Sequence, residues 1–383
     1  MCETREGVGA PKVSEETDGS NGAEATEIAE TAKLAEVEEV AKSADAAEVE
    51  KVTETAESIE TTAPTKETRK SRTTRRAGEV SDFRRTSGRI GMAMLLFLIL
   101  FYGLDVVALL LLAAVPMGEV GEKLIDSATY FLSFALPAIF LWLITPRRER
   151  SPMPLSPQLP PRLWLLIPAG LAVILSSAIV NSQVLAWIGY PSSSGASHYG
   201  MTATQGVLLF ISTAVVPALC EELLFRGAIF SALLPYGKTT AVLVSAVLFG
   251  LMHQNIAQIF YTTMAGVVLG VLCARSGSIW AGVLLHFFNN FIAVIEDILM
   301  ARLPSLTALR LCAILEVAVI GVGLLALAVL LGKPETVRLT DGFDEAPAKG
   351  GVGVRAFCSP AMVVFVVLAL GQIIYFTVIY AWR

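Results

Sequence analysis

Nine apolar runs follow one another from Ile90 to the C-terminus, near 90–115, 124–144, 163–189, 204–233, 239–254, 256–274, 279–300, 306–332 and 360–381. No other feature narrows the fold as far. About 20 apolar residues cross the roughly 30 Å hydrocarbon core of a bilayer. With no water at that depth, each crossing segment has to satisfy its own backbone hydrogen bonds, which an α-helix does within itself. The expected fold is all-α: a polytopic integral membrane helical bundle of about eight or nine transmembrane helices. Hydrophobic residues make up 54% of the 383, more than a soluble protein of this length carries. A multi-pass protein of the cell membrane is expected, with lipids as its immediate partners and no nucleic acid.

The net charge of −5 averages two unlike regions. Residues 1–65 are rich in Glu, Ala, Thr and Ser and poor in aromatics. Such a segment cannot bury enough apolar surface to offset its ordering entropy, so it reads as a disordered acidic tail. Met1 leads into polar, acidic sequence, and no secretory signal is expected there. Residues 66–89 reverse the sign: Lys66, Arg69, Lys70, Arg72, Arg75, Arg76, Arg84, Arg85 and Arg89 form a basic juxtamembrane segment. By the positive-inside rule this places the N-terminus in the cytoplasm. The later loops alternate in agreement. Arg147, Arg148, Arg150 and Arg162 fall inside, Glu119 and Glu122 outside, and Lys238, Arg275 and the 333–355 loop inside again. Arg302 is the exception. Beyond the tail and the basic segment, the chain divides into N-terminal transmembrane helices (90–203), a core (204–301) and C-terminal transmembrane helices (302–383).

The five cysteines (Cys2, Cys220, Cys273, Cys312 and Cys358) form no close pair. Neither a disulfide framework nor a zinc knuckle is expected. The C-terminal Tyr380-Ala381-Trp382-Arg383 is not a prenylation box.

Ionisable residues inside the apolar runs are the next informative feature. Cys220-Glu221-Glu222-Leu223-Leu224-Phe225-Arg226-Gly227 follows an uncharged stretch from Thr202 to Leu219. A charge near the bilayer centre costs about 2.5–3.5 kcal/mol on insertion scales, and such residues mark functional sites by default. Two of the three histidines also lie within runs. His253 closes Phe249-Gly250-Leu251-Met252-His253, and His286 opens His286-Phe287-Phe288-Asn289-Asn290. Residues four apart share a helix face, so Glu222 aligns with Arg226, Phe249 with His253, and His286 with Asn290.

Each piece has a bland explanation. Glu222 with Arg226 is a self-neutralising ion pair, a buried histidine is an interhelical hydrogen-bonder, and Asn290 is packing glue. The conjunction favours a polar site assembled between helices. His198, in the Ser/Gly loop after the third run, is expected to have no chemical role. Asp105, Arg310, Glu316 and the Glu296-Asp297 pair are the remaining charges in or near runs, and Asp105 is expected to pair with a neighbouring helix.

In order and spacing, Glu-Glu-x-x-x-Arg, Phe-x-x-x-His and His-x-x-x-Asn resemble the signature of the CAAX-protease and bacteriocin-processing family of intramembrane glutamic endopeptidases. The resemblance covers about residues 204–301, and the compact motifs look like those of its bacterial-type branch, which is related to the type II CAAX prenyl endopeptidases. It implies hydrolysis of a peptide bond in a peptide or membrane-protein substrate, with no cofactor and no metal. Glu221 would be the general base that activates water, and Arg226 the counter-charge to the carboxylates. His253 would share or orient the water, Glu222 would orient a histidine, and His286 and Asn290 would hold the oxyanion. The division of work between the two histidines stays open at this level. Three other functions compete. One is a zinc metallopeptidase using His253, His286 and a glutamate, although no His-Glu-x-x-His is present. Another is a non-catalytic membrane regulator or peptide-immunity protein. The third is a proton-coupled transporter, whose usual inverted repeats are not apparent.

The site should sit in a water-filled cavity in the cytoplasmic half of the membrane. A count along straight helices puts Glu221 about 20 Å from the inner end of its run at Pro235. His286 is only about eight residues past Ser278, which leaves a mismatch of about 10 Å in depth.

Overall fold

The computed structural model describes residues 66–115, 117–156, 164–190, 201–332 and 357–381. The chain divides into two compact units, Met1–Thr73 and Thr74–Arg383. Of the first, the described part is residues 66–73, the start of the first helix. The acidic tail (1–65), His198 and the 333–355 loop lie outside the described residues, as do the side chains of the basic residues 66–76.

Nine helices account for most of the described residues. They are α1 (Lys66–Ala114), α2 (Glu119–Ile144), α3 (Leu166–Trp187), α4 (Ala203–Tyr236), α5 (Lys238–Met252), α6 (Ile256–Ser276), α7 (Ile279–Arg302), α8 (Ser305–Gly332) and α9 (Pro360–Ala381). Among the described residues there is no strand, and a single bridge pairs Leu155 with Ser278. The expected all-α membrane bundle is what forms. Its outer faces are apolar, as lipid requires: Leu309, Ile314, Val317, Val322 and Leu325 of α8 are all more than half exposed.

Eight of the nine helices are long and apolar enough to cross a bilayer. The run expected to span at 239–254 is the exception. Its helix α5 has 15 residues and rises only about 22 Å, short of the hydrocarbon core. A turn stops it: Gln254 adopts φ +49°, a left-handed conformation that non-glycine residues avoid. Asn255 then caps α6 by accepting from the Ala257 N–H. The two helices form a hairpin with His253 at its tip. Its seam uses small residues, as lipid-embedded contacts do in the absence of a hydrophobic driving force between helices. Gly250 lies against Thr263, Gly266 against Ala246, and Gly270 against Val242. A Cβ added at Gly266 would lie 2.8 Å from the Ala246 backbone.

Further close approaches join the outer helices. A Cβ at Gly91 of α1 would meet the Met362 backbone of α9 at 2.4 Å. One at Gly323 of α8 would meet the Pro168 carbonyl of α3 at 2.2 Å. Hydroxyls add to the α1 contacts: Ser87 donates to the Phe357 carbonyl at 2.5 Å, and Thr86 bonds Tyr236 at 2.9 Å. Arg89 pairs with Glu149 at 2.6 Å, so one member of the expected basic segment has a definite partner.

The segment 153–156 straps the start of α7. The Ile279 N–H donates to the Pro154 carbonyl at 2.7 Å, the Trp280 indole to the Leu155 carbonyl at 3.1 Å, and the Ser278 hydroxyl to the Ser156 carbonyl. Ser278 is fully buried beneath this strap. The turn before α7 is therefore covered by protein and is not an exposed end.

Candidate active site

Helix α4 changes its winding around the paired glutamates. Residues Phe210–Val215 and Leu223–Phe230 are π-helical, and Val216–Glu222 between them is α-helical. Single π-turns inside helices occur frequently at functional sites. Pro217 contributes a local cause, because it has no N–H to offer the carbonyl four residues back, Thr213. That carbonyl instead accepts from Asn290 Nδ2 at 3.0 Å. Asn290 Oδ1 in turn accepts from Asn289 Nδ2 at 3.2 Å. The packing role of Asn290 is thus real, and it fixes which way the amide faces.

Glu221, Glu222 and Arg226 are buried to 3%, 0% and 0% exposure, so their charges have to be answered inside the protein. Arg226 Nη1 donates to Glu222 Oε1 at 2.7 Å, Nη2 donates to the Gly266 carbonyl at 3.0 Å, and the guanidinium stacks 4.6 Å from the Phe249 ring. Glu222 Oε1 also lies 3.2 Å from His286 Nδ1. Glu222 therefore binds both the counter-charge and a histidine. That histidine is the one on α7, held over the neighbouring Glu221 with Nε2 3.9 Å from its Oε2.

His253 is fixed differently. Its Nδ1 lies 2.8 Å from the Phe249 carbonyl, which can only accept, so Nδ1 carries a proton, and whenever the ring is neutral the lone pair is on Nε2. Phe249 also meets both imidazoles edge-on, with centroids 5.1 Å from His253 and 5.9 Å from His286. The ring expected to share a helix face with one histidine serves both.

Glu221, His253, His286 and Asn290 line one cavity of about 80 Å³, with Phe249, Tyr261 and Asn289 among the other walls. A water needs roughly 10–15 Å³ on this measure, so the cavity has room for several. Oε2 of Glu221 and Oε2 of Glu222 are buried and accept no hydrogen bond within the described protein. Carboxylate oxygens are rarely left so without a reason. All six expected residues are thus brought together, four on the cavity and Glu222 and Arg226 directly behind it. Asp105 and Arg310 are exposed, and neither they nor Glu296, Asp297 or Glu316 line the cavity. Among the described residues, no three His, Cys, Asp or Glu side chains converge as metal ligands would.

Several contributors escaped the sequence reading. The Tyr130 hydroxyl, from α2, donates to Glu221 Oε1 at 2.5 Å. Nothing in the sequence singles it out, since tyrosine is common in membrane helices. Gly282, one turn before His286, leaves space that Glu222 occupies: a Cβ there would lie 2.7 Å from Glu222 Oε2. An isolated glycine inside a helical run is a weak hint of such close approach. Gly266 supplies the carbonyl for Arg226, and its Gly-x-x-x-Gly spacing with Gly270 was the available signal.

The stretch that carries most of this geometry resembles known proteins in sequence. Residues 203–292 match the family model described as type II CAAX prenyl endopeptidase Rce1-like. A Bacillus subtilis protein named "Putative membrane peptidase YdiL" is 35% identical over 94 residues, which is 24% of this chain and 38% of that protein. No solved structure matches.

Proposed function

From the match of residues 203–292 to the Rce1-like family model and from the geometry of the site, we propose that the protein is an intramembrane endopeptidase of the glutamic type. The observation that carries the proposal is the shared cavity. One unbonded carboxylate oxygen, two imidazoles held by different partners and an oriented amide surround a space sized for water and a peptide carbonyl.

The chemistry follows from the hydrogen bonds. Glu221 Oε2 takes a proton from a water that also bonds the lone pair of His253 Nε2, and the resulting hydroxide attacks the scissile carbonyl carbon. The carbonyl oxygen becomes an oxyanion. Asn290 has a second Nδ2–H to give it, the first being held by Thr213. His286 faces the cavity through Nε2 while Nδ1–H rests on Glu222. For Nε2 to donate to the oxyanion the ring has to be an imidazolium, whose charge Glu222 and Glu221 compensate. Glu221 then passes its proton to the departing amide nitrogen as the C–N bond breaks, and the carboxylate is restored. On this reading His253 serves the water and His286 the oxyanion.

The substrate is a peptide or membrane protein whose cleavage site can reach a cavity between helices. The basic residues Arg84, Arg85 and Arg89 and the Arg147–Arg148 turn lie on the cytoplasmic side. N-terminal proteomics of membranes containing the parent or Glu221→Gln tests the proposal. Protein N-termini present with the parent and missing with the variant are expected, and they identify the substrate. Identical sets of termini would leave a non-catalytic regulator as the better reading.

A further inference from the structure

Two tyrosines outside the segment matched by the Rce1-like model reach the site or the residue beside it, Tyr130 through Glu221 and Tyr102 through Gln254, and one aromatic ladder holds them both. Tyr130 of α2 packs on Phe134 with centroids 4.9 Å apart and meets Phe101 of α1 edge-on at 6.2 Å. Phe97 sits behind them, 4.8 Å from Phe134 and 5.5 Å from Phe101, and both Phe97 and Phe134 are buried. Phe101 in turn stands perpendicular to Tyr102 at 5.5 Å. The ladder ends in two hydroxyls. One, on Tyr130, donates to Glu221 Oε1 at 2.5 Å. The other, on Tyr102, donates to Gln254 Oε1.

Each hydroxyl lands where position matters. An ionised carboxylate has two equivalent oxygens and three soft torsions, and nothing intrinsic decides which oxygen meets a water. The Tyr130 bond has the length of a charge-assisted O–H···O⁻ contact. It occupies Oε1 and leaves Oε2, unbonded within the described protein, on the side of His286. Gln254 follows His253 directly, is 5% exposed and holds the left-handed φ of +49° that ends α5. Backbone conformations of this kind persist where surrounding contacts over-determine them, and the Tyr102 bond is one such contact.

We propose that Tyr130 and Tyr102 are positioning residues: Tyr130 selects the oxygen of Glu221 that acts as base, and Tyr102 holds the turn that sets His253. The proposal rests on the endopeptidase reading. It makes the two N-terminal helices part of the active site and not merely its anchor. Tyr130 suits the task because its rigid ring is held between Phe134 and Phe101, so its hydroxyl is a fixed point in a preorganised site. Tyr102 is 41% exposed, so its contribution is the smaller one.

The test uses the full chain in native membranes, with Tyr130→Phe and Tyr102→Phe, which keep the rings and hence the ladder, beside Glu221→Gln. Infrared difference spectra against Glu221→Gln isolate the Glu221 carboxylate band. That band should shift in Tyr130→Phe and stay in place in Tyr102→Phe, with thermal unfolding of both variants unchanged. Yield of Glu221-dependent N-termini per copy of enzyme should fall at least about tenfold in Tyr130→Phe and about threefold in Tyr102→Phe. An unmoved band in Tyr130→Phe overturns the proposal, and so does a yield within twofold of the parent in both variants. If Glu221→Gln itself leaves the termini unchanged, the endopeptidase reading fails, while the band still decides whether Tyr130 holds the carboxylate.

Discussion

At the scale of single residues, the site is a problem in burying charge. Glu222 and Arg226 are both fully buried, so removing either partner strands the other. Breaking such a pair costs about 3–5 kcal/mol, whereas replacing both members with apolar or neutral groups of similar volume is often tolerated. Arg226→Met should therefore unfold at markedly lower temperature or denaturant than the parent. Glu222→Gln combined with Arg226→Met should recover most of that stability, as a thermal unfolding series in detergent would show. Activity should not return in the double variant, because Glu222 also holds His286. The glutamates, the arginine and both histidines were legible in the sequence because ionisable groups are out of place in apolar runs. Tyr130 was not legible, since its hydroxyl matters only through a fold contact between residues 91 positions apart.

At the scale of elements, the sequence carries hydrophobic length well and turns poorly. Eight spans were readable from apolar runs alone. The remaining run, 239–254, forms its helix too, but at 15 residues it is too short to cross, because Gln254 leaves the helix through a conformation that residue identity does not announce. The winding change in α4 was equally hidden: Pro217 signals a disturbed ladder, not a π-turn on each side. What the hairpin needs is room at its seam. Gly266→Val should force α5 and α6 apart, destabilise the protein by about 1–3 kcal/mol and lower activity by displacing both His253 and the Arg226 acceptor. Gly321→Val is the matched control, since a Cβ there meets nothing within 4 Å, and it should change neither. Equal effects of the two substitutions on unfolding would contradict the seam.

At the scale of the whole molecule, the short hairpin sets the topology. Helices α5 and α6 run antiparallel, so Lys238 and Ser276 lie at one end of the hairpin and the His253 tip at the other. In a background with the native cysteines replaced, Lys238→Cys and Ser276→Cys should be labelled from the same side by an impermeant thiol reagent. Gly118→Cys and Gly189→Cys should be labelled from the other side. Labelling of Lys238→Cys and Ser276→Cys from opposite faces would mean that α5 does not form a hairpin with α6. Both histidine helices meet Glu221 at one cavity, where the proposed mechanism has the Glu221 carboxylate activate water. The most direct measurement is cleavage of a peptide spanning an identified junction by purified protein in liposomes, with a strong metal chelator present throughout. The parent should cleave it, and Glu221→Gln should be slower by about 10²–10⁴-fold, the contribution of a general base, at unchanged thermal stability. Cleavage by Glu221→Gln at the parent's rate, or loss of the parent's activity on chelation, would contradict it.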